Sequence, residues 1–215
     1  DSWVDAAGTM RAFIGVVRNK DRETYEESLF VVDIPAKVDI TTADSGNADR
    51  YPTPPEGITI RRLTHEWAGG IVRGAPDGKR IAYYGKDKNG LGQIFVIAAD
   101  GSDRHEDPAK HPVQVTFLPE GTAAGLRWHP DGNHILCLSD GGLVMTDITP
   151  GNNFGKYRFI TPHGDGKERY APVISVNGKL AAYNCLTPTF DENGVRVFNY
   201  AGLDFSQIFL VNINL

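Results

Sequence analysis

The chain has 215 residues, 40% of them hydrophobic and 23% charged, which is enough for one or two domains with real cores. Its net charge of −5 gives no electrostatic reason to expect a nucleic acid or an anionic membrane as partner. No apolar run approaches the length of a membrane span. Two cysteines, Cys137 and Cys185, do not make a disulfide framework and are expected to be buried free thiols.

Two strand-like segments, 10–17 and 28–35, lie in the first part of the chain. Both are rich in β-branched and aromatic residues, so residues 1–35 are expected to form part of a first sheet. Residues 36–57 are polar and then proline-rich, which favours an extended linker that contributes nothing to a core.

Residues 58–111 contain the first complete copy of a repeated hairpin, in which two strands flank Pro76-Asp77-Gly78. Proline presets φ near about −65° and so suits the second position of a type I turn, while aspartate suits the third. The glycine is then expected to adopt the left-handed conformation that closes a short hairpin.

The hairpin recurs in residues 112–151, around Pro130-Asp131-Gly132, and in a worn form in residues 152–215, around Asn177-Gly178. A strand ending in threonine precedes each copy, and a more apolar strand follows it. The threonines Thr64, Thr116 and Thr161 are separated by 52 and 45 residues. A period of this size, with strand signals only, points to propeller blades.

The sequence therefore predicts an all-β propeller with about three complete four-stranded blades plus part of another, the partial blade being residues 1–35. The blades are assigned to one propeller domain, without a helix longer than a turn. The last blade carries an insertion, residues 186–204, which is expected to form its own hairpin.

The progression from Leu63-Thr64 through the Pro-Asp-Gly hairpin to Gln93-Ile94-Phe95-Val96 resembles the repeat of the TolB-type β-propellers, cousins of the WD-repeat propellers. With the segments 29–35 and 61–64, the chain resembles an uncharacterised bacterial family of TolB-like proteins related to oligogalacturonate lyases. Members of that family are about twice as long, so the resemblance implies the C-terminal half of a propeller with about six to eight blades. It also implies a soluble bacterial protein, either periplasmic or cytoplasmic.

Two functions stay open on the sequence. The first is a binding module that engages a protein or a glycan at the mouth of the propeller channel. The alternative is a lyase-like enzyme acting on acidic oligosaccharides. The chain has no Gly-x-Ser-x-Gly, Cys-x-x-Cys or His-Glu-x-x-His, so no complete catalytic motif decides between them.

The lyase resemblance implies a Mn²⁺ site built from several histidines and a glutamine, with two histidines close together along the chain. None of the six histidines here forms a His-x-His pair. No metal ligand is therefore assigned, and no cofactor is expected outside the lyase-like alternative.

Arg73 and Arg127 occupy the same place in successive repeats, three residues before the hairpin proline. On inner strands, two arginines facing one channel are candidates to bind the carboxylates of an acidic sugar through bidentate pairing. The alternative, which the sequence favours, is that they pair with acidic residues of adjacent blades or face solvent.

The loops leading into the first and third hairpins carry the other candidates. Trp67 and Tyr170 are candidates to stack on a sugar face, and Arg169 is a third ligand-binding candidate. His65 and His163 are the candidate bases, because an imidazole titrates near neutral pH. Turn capping and packing between blades is the competing role for each histidine.

Three residues of the second hairpin are given structural roles. His129 and His134 flank the turn and are expected to be exposed, whereas Trp128 is expected to lie in the core. A fragment of a propeller leaves open blade faces and unpaired strand edges, so self-association of this chain is expected.

Overall fold

The computed structural model describes residues 1–122 and 124–215. The fold is nearly all β, with 45% of residues in strands and 3% in helices. Two 3₁₀-helices, Ile40–Thr42 and Pro108–Lys110, are the helices of the described residues. Neither helix is long and apolar enough to cross a membrane.

Seventeen strands follow one another along the described chain. They are β1 (Ser2–Trp3), β2 (Met10–Arg18), β3 (Tyr25–Asp33), β4 (Thr59–Arg62), β5 (Gly69–Gly74), β6 (Arg80–Lys86), β7 (Gly92–Ala98), β8 (Val113–Gln114), β9 (Ala124–Trp128), β10 (His134–Ser139), β11 (Gly142–Asp147), β12 (Tyr157–Phe159), β13 (Arg169–Ile174), β14 (Leu180–Thr187), β15 (Thr189–Phe190), β16 (Arg196–Val197) and β17 (Phe205–Asn212). The sheets have the orders β1-β2-β3-β4, β5-β6-β7-β8, β9-β10-β11-β12, β13-β14-β17 and β15-β16. This confirms the predicted all-β class with four-stranded blades.

The grouping of strands differs from the sequence prediction in one respect. The strand that precedes each hairpin was expected in the same blade as that hairpin. In the structure β4 pairs with β3, so residues 59–62 complete the first sheet instead of opening the second. Backbone pairing fixes β4 in the first sheet, because Thr59 pairs with Asp33 and the pairing continues to Arg62 with Phe30. The three-stranded sheet is therefore the last one, and residues 1–35 belong to a complete one.

The three hairpin turns have the predicted geometry. The N–H of Gly78 donates to the carbonyl of Ala75 at 3.0 Å, which closes a four-residue turn around Pro76-Asp77. Gly78, Gly132 and Gly178 have φ values of 68°, 71° and 73°. These values lie in the left-handed region that favours glycine, as the sequence predicted.

Each of the three repeated threonines makes the same kind of hydrogen bond. The hydroxyl oxygens of Thr64, Thr116 and Thr161 accept the backbone N–H groups of Leu29, Ile94 and Leu143, at 2.9, 2.8 and 2.9 Å. In each case the residue before the threonine donates its own N–H to the carbonyl of that same third-strand residue. The threonine thus extends the ladder one step beyond the end of the fourth strand.

The chain divides into two compact units. Unit 1 comprises Asp1–Gly85 and Phe95–Val113, and unit 2 comprises Lys86–Ile94 and Gln114–Leu215. The core of unit 1 gathers buried side chains such as Leu29, Val72 and Ile81. The core of unit 2 packs Leu136, Leu143 and Met145 against Ala181 and Ile213.

Three expectations about single residues can be checked directly. Cys137 and Cys185 are buried free thiols, as predicted. Burial raises the pKa of Cys137 to about 12, which keeps it in the unreactive thiol form. Trp128 is buried, also as predicted.

In unit 2, the last sheet exposes an apolar face. The strand β17 lies at the edge of its sheet, and Ile208 and Leu210 are 75% and 68% exposed. Their cross-strand partners are Asn184 and Ala182, so both side chains stand on the same face of the sheet.

That face generates a prediction about association. We expect the 215-residue chain to self-associate reversibly, because an exposed apolar edge strand favours pairing with a second copy. The double variant Ile208→Lys/Leu210→Lys should shift the sedimentation profile towards the monomer. Asn212→Lys adds charge on the same face without removing apolar surface, and it should leave more of the association intact. A wild-type chain that stays monomeric at the highest soluble concentration would contradict the prediction.

The threonine bond generates a second prediction. Thr116→Val keeps the shape of the side chain but leaves the buried N–H of Ile94 without its acceptor, so the free energy of unfolding should fall by about 1–3 kcal/mol. Urea denaturation measures the change. Thr116→Ser keeps the hydroxyl and is the matched control, with a smaller expected loss. A Thr116→Val variant as stable as the wild type would contradict the prediction.

Candidate functional site

A cleft of about 550 Å³ lies in unit 2 and contains two of the residues singled out from the sequence. Its walls come from the turn between β10 and β11, the segment before β9 and the start of β13. The lining residues are Leu91, Gly92, Glu120, Gly121, Thr122, Ala124, Leu138, Ser139, Asp140, Gly141, Glu168, Arg169 and Tyr170. We call this cavity the unit 2 cleft. A smaller cleft beside it also uses Asp140, Gly141 and Glu168 and adds Lys167.

A two-residue turn places Asp140 in the cleft wall. Ser139 pairs with Gly142, so Asp140 and Gly141 form the loop, and their φ values are 48° and 72°. Two successive positive φ values are the geometry of a type I′ turn, for which Asp-Gly is a preferred sequence. The turn carries the Asp140 carboxylate out of the ladder towards the loop that precedes β13.

His163 pairs with that carboxylate. Its Nδ1 lies 2.8 Å from Oδ2 of Asp140, and its ring stacks on Phe159 with 3.6 Å between centroids. The Gly164 N–H also donates to the Asp140 carbonyl at 2.9 Å. Since the His163 side chain is 46% exposed, the arrangement presents an oriented imidazole to solvent next to Asp140, which lines the cleft. An imidazole held by a carboxylate is an arrangement suited to accepting a proton.

Arg169 is buried at the back of the cleft, and its guanidinium is already paired. Its two terminal nitrogens bind both carboxylate oxygens of Asp165, at 3.0 and 2.7 Å, and one of them also donates to the Gly141 carbonyl at 2.9 Å. The Arg169 guanidinium holds the pKa of Asp165 well below its usual range, against the opposing effect of burial. Arg169 therefore braces the loop 165–169 against the β10–β11 turn.

Tyr170 lies beside Arg169 and is more accessible. Its hydroxyl donates to Oγ of Ser206 at 2.7 Å, which ties the start of β13 to β17 within unit 2. The residue is 38% exposed and lines the cleft, so part of it is accessible to a ligand.

The charge of the cleft is mainly negative. Among its lining residues, Glu120, Asp140 and Glu168 are acidic and Arg169 is the basic one, with its charge already matched by Asp165. Glu120 and Glu168 are exposed. The cleft therefore offers uncompensated carboxylates to a ligand, which opposes binding of an acidic sugar and favours a cationic group.

The other candidate histidine, His65, lies in unit 1 and is held by Asp103. Its Nδ1 is 2.6 Å from Oδ1 of Asp103, and its backbone N–H donates to the other oxygen of the same carboxylate. The Asp103 N–H donates to the Leu63 carbonyl at 2.8 Å. These contacts are those expected for a residue that fixes a loop. Trp67, also in unit 1, donates its indole N–H to Glu27 at 3.0 Å.

Arg73 and Arg127 keep equivalent places in their sheets, as the repeat predicted. Arg73 pairs with Ala82, and Arg127 pairs with Leu136. Each guanidinium donates to the carbonyl of the residue before it, at 3.1 and 2.7 Å. The two arginines belong to different units, Arg73 to unit 1 and Arg127 to unit 2. Their joint action on a carboxylate stays a prediction.

The expectation that His129 and His134 are exposed hairpin residues is wrong. His129 is 7% exposed, and the side chain of His134 is 19% exposed. Both imidazoles contact Asp131 of the hairpin turn, and His129 also reaches the turn of the next hairpin at Gly178. The alternation along the strand predicts neither contact, because both depend on how the turn folds and on the neighbouring sheet.

Sequence reasoning missed the acidic residues that organise the loops. Asp140, Asp165 and Asp103 each hold a basic or imidazole side chain, and two of these pairs span 23 and 38 residues. The Asp140-Gly141 pair is typical of a type I′ turn, which predicts an outward carboxylate but no partner for it. The Asp165–Arg169 spacing of four residues is a signal for pairing in helices, which this loop is not.

The comparisons with known proteins bear on the fold. The structure superposes on TolB from Acinetobacter baumannii with a TM-score of 0.54 at 16% identity, covering 99% of this chain and 42% of that one. It superposes on the tricorn protease with a TM-score of 0.53 at 14% identity, covering 95% of this chain and 17% of that one. The fold is that of a TolB-like β-propeller. Identities this low concern the fold and carry no activity with them.

In sequence, the chain is similar to the uncharacterized protein YidR of Escherichia coli K12. The two are 27% identical over an alignment of 188 positions, which covers 80% of this chain and 42% of YidR. This chain thus spans less than half the length of that relative. No protein-family model matches the chain. The TolB-like assignment made from the repeat is confirmed at the level of the fold.

The Asp165–Arg169 pair generates a pH prediction. Because the pKa of Asp165 is lowered in the folded state, the pair stabilises the protein fully above the ordinary carboxyl pKa of 3.8, and this stabilisation is lost as the pH falls below it. The difference in unfolding free energy between wild type and Asp165→Asn should therefore be largest near neutral pH and shrink towards about pH 3. Urea denaturation across this range measures the difference. Asp49→Asn, at an exposed site in unit 1, should follow the wild-type profile.

Proposed function

We propose that this chain is part of a protein-binding module, and that the unit 2 cleft engages a basic, extended segment of a partner protein. The observation that carries the proposal is the charge of the cleft: Glu120, Asp140 and Glu168 line it, while its basic residue, Arg169, is already paired with Asp165. Asp140 is already held by His163, so the exposed carboxylates of Glu120 and Glu168 are the ones that a lysine or arginine of a ligand would meet there.

The shape and lining of the cleft support the same ligand class. A volume of about 550 Å³ is in the range of sites that hold several side chains. Leu91 and Leu138 provide apolar walls, and the partly exposed Tyr170 gives a surface for the aliphatic part of a lysine or arginine. Loops carried on rigid strands are the usual location of binding residues in such scaffolds.

The hypothesis that the cleft binds a glycan is less well supported by this geometry. An acidic oligosaccharide would need free arginines, and the guanidinium of Arg169 is buried with two bonds to Asp165. The lyase-like alternative would also need a base near the substrate. His163, next to Asp140, is the candidate for that role in unit 2, and it would work beside carboxylates that repel a uronate.

A binding experiment tests the proposal. Fluorescence anisotropy would compare three labelled peptides of equal length, one rich in lysine and arginine, one neutral and one rich in glutamate. We expect the basic peptide to bind, with an affinity that falls as salt rises. The double variant Glu120→Gln/Glu168→Gln should weaken binding roughly 2- to 30-fold, since each exposed charge pair contributes about 0.2–1 kcal/mol. Glu192→Gln, which removes an exposed charge outside the cleft, is the matched control.

Two results would contradict the proposal. One is equal binding of the basic and acidic peptides. The other is tight binding of galacturonate oligomers, with or without Mn²⁺, together with loss of that binding in Arg73→Ala and Arg127→Ala. Release of an unsaturated product from such oligomers would establish the lyase-like alternative.

A further inference from the structure

Three side chains that can ligate a metal meet at the turn between β9 and β10. Nδ1 of His129 lies 3.0 Å from Oδ1 of Asp131, and Nδ1 of His134 lies 2.8 Å from Oδ2 of the same carboxylate. The three potential ligand atoms all lie within 4.8 Å of one another. Among the described residues, no second group of three or more His, Cys, Asp or Glu side chains has its potential ligand atoms this close together.

The hydrogen bonds of His129 define which of its nitrogens carries the hydrogen. Nε2 lies 3.0 Å from the carbonyl oxygen of Gly178, and a carbonyl only accepts, so Nε2 carries the hydrogen. In the neutral ring Nδ1 then has a lone pair. It accepts the Asp131 backbone N–H at 3.3 Å and also faces the Asp131 carboxylate. Nδ1 of His129 and Oδ1 of Asp131, which lie 3.0 Å apart, can both act as ligands of one cation.

The ring of His129 is held in this orientation by its surroundings. Its side chain is 8% exposed. A Cβ placed on Gly178 would stand 2.3 Å from Nε2, so the imidazole packs directly on the backbone of the next hairpin turn. The turn itself is fixed, because the Asn133 N–H donates to Oδ1 of Asp131 at 2.8 Å and the His129 N–H donates to the His134 carbonyl at 2.9 Å.

We propose that His129, Asp131 and His134 bind a divalent transition-metal ion of the zinc class. Two imidazole nitrogens and one carboxylate oxygen are a donor set that zinc accepts, and the nitrogen ligands disfavour Mg²⁺ and Ca²⁺. At metal–ligand distances of about 2.0–2.2 Å, two ligand atoms of a tetrahedral site stand about 3.4 Å apart, and the three ligand atoms at this turn lie within 4.8 Å of one another.

The second nitrogen of His129 has the role that such a site requires. A metal-binding histidine usually donates its other ring N–H to a carbonyl or carboxylate, which fixes the tautomer and the direction of the ligand nitrogen. The bond from His129 Nε2 to Gly178 is this contact. Asp131 is exposed, so a fourth coordination position opens to solvent and accepts water or a ligand from a partner.

Isothermal titration of the full 215-residue chain with ZnCl₂ tests the site. We expect one Zn²⁺ per chain, a rise in melting temperature on addition of Zn²⁺, and its reversal by a chelator. His134→Gln and Asp131→Asn should each weaken binding at least about tenfold, since even outer-shell changes typically cost 10- to 100-fold. Asp131→Asn keeps an oxygen for the turn bond to Asn133. His163→Gln removes a more exposed histidine elsewhere in unit 2 and should bind Zn²⁺ as wild type does.

The proposal is overturned if wild type shows no saturable Zn²⁺ binding. It is also overturned if His134→Gln and Asp131→Asn bind as tightly as wild type. If either variant fails to fold, Co²⁺ added to the wild-type chain gives the decision: the visible absorption of a four-coordinate site supports it, and the spectrum of hydrated Co²⁺ overturns it. The peptide-binding proposal concerns other residues, so the two stand or fall separately.

Discussion

The blades depend on how the third strand satisfies its backbone where the fourth strand leaves the sheet. A buried N–H without an acceptor costs about 1–3 kcal/mol, and each four-stranded sheet would have one at this point. The hydroxyls of Thr64, Thr116 and Thr161 accept those N–H groups after the strand has ended. In the second sheet, Gln93 strengthens the arrangement, because its buried side chain accepts from Thr116 and donates to the Leu118 carbonyl. The repeated threonine is thus a structural requirement of the blade.

The same requirement explains why the loops hold so many acidic residues. A chain that leaves a sheet must fix its polar groups locally, and a carboxylate can accept two bonds at once. Asp103 holds the backbone and ring of His65, Asp140 holds His163, and Asp165 holds Arg169. Most candidate basic residues of these loops are therefore engaged in shaping the loop. What remains for a ligand in unit 2 is the surplus of negative charge on Glu120 and Glu168.

Sequence reasoning predicted the fold well because the turn chemistry is local. Pro-Asp-Gly and Asn-Gly specify their turns within four residues, and Gly78, Gly132 and Gly178 adopt the expected φ. Pairing was less predictable, since the strand 59–62 can join the hairpin before or after it with the same residue pattern, and only the ladder to β3 decides. The site was least predictable. Arg169 and Tyr170 do meet in one cleft, but their partners come from 4 and 36 residues away.

The contacts of His129 differ from those of the histidines that only shape a loop. His65 and His163 each place Nδ1 against one carboxylate, which a single N–H explains. His129 has contacts at both nitrogens, and the carbonyl of Gly178 fixes the hydrogen on Nε2. Its Nδ1 then meets a carboxylate that His134 also contacts, so two imidazoles converge on one anion. A cation bound there would be ligated by both imidazoles and the carboxylate. The turn that closes this hairpin therefore also brings nitrogen and oxygen ligands together.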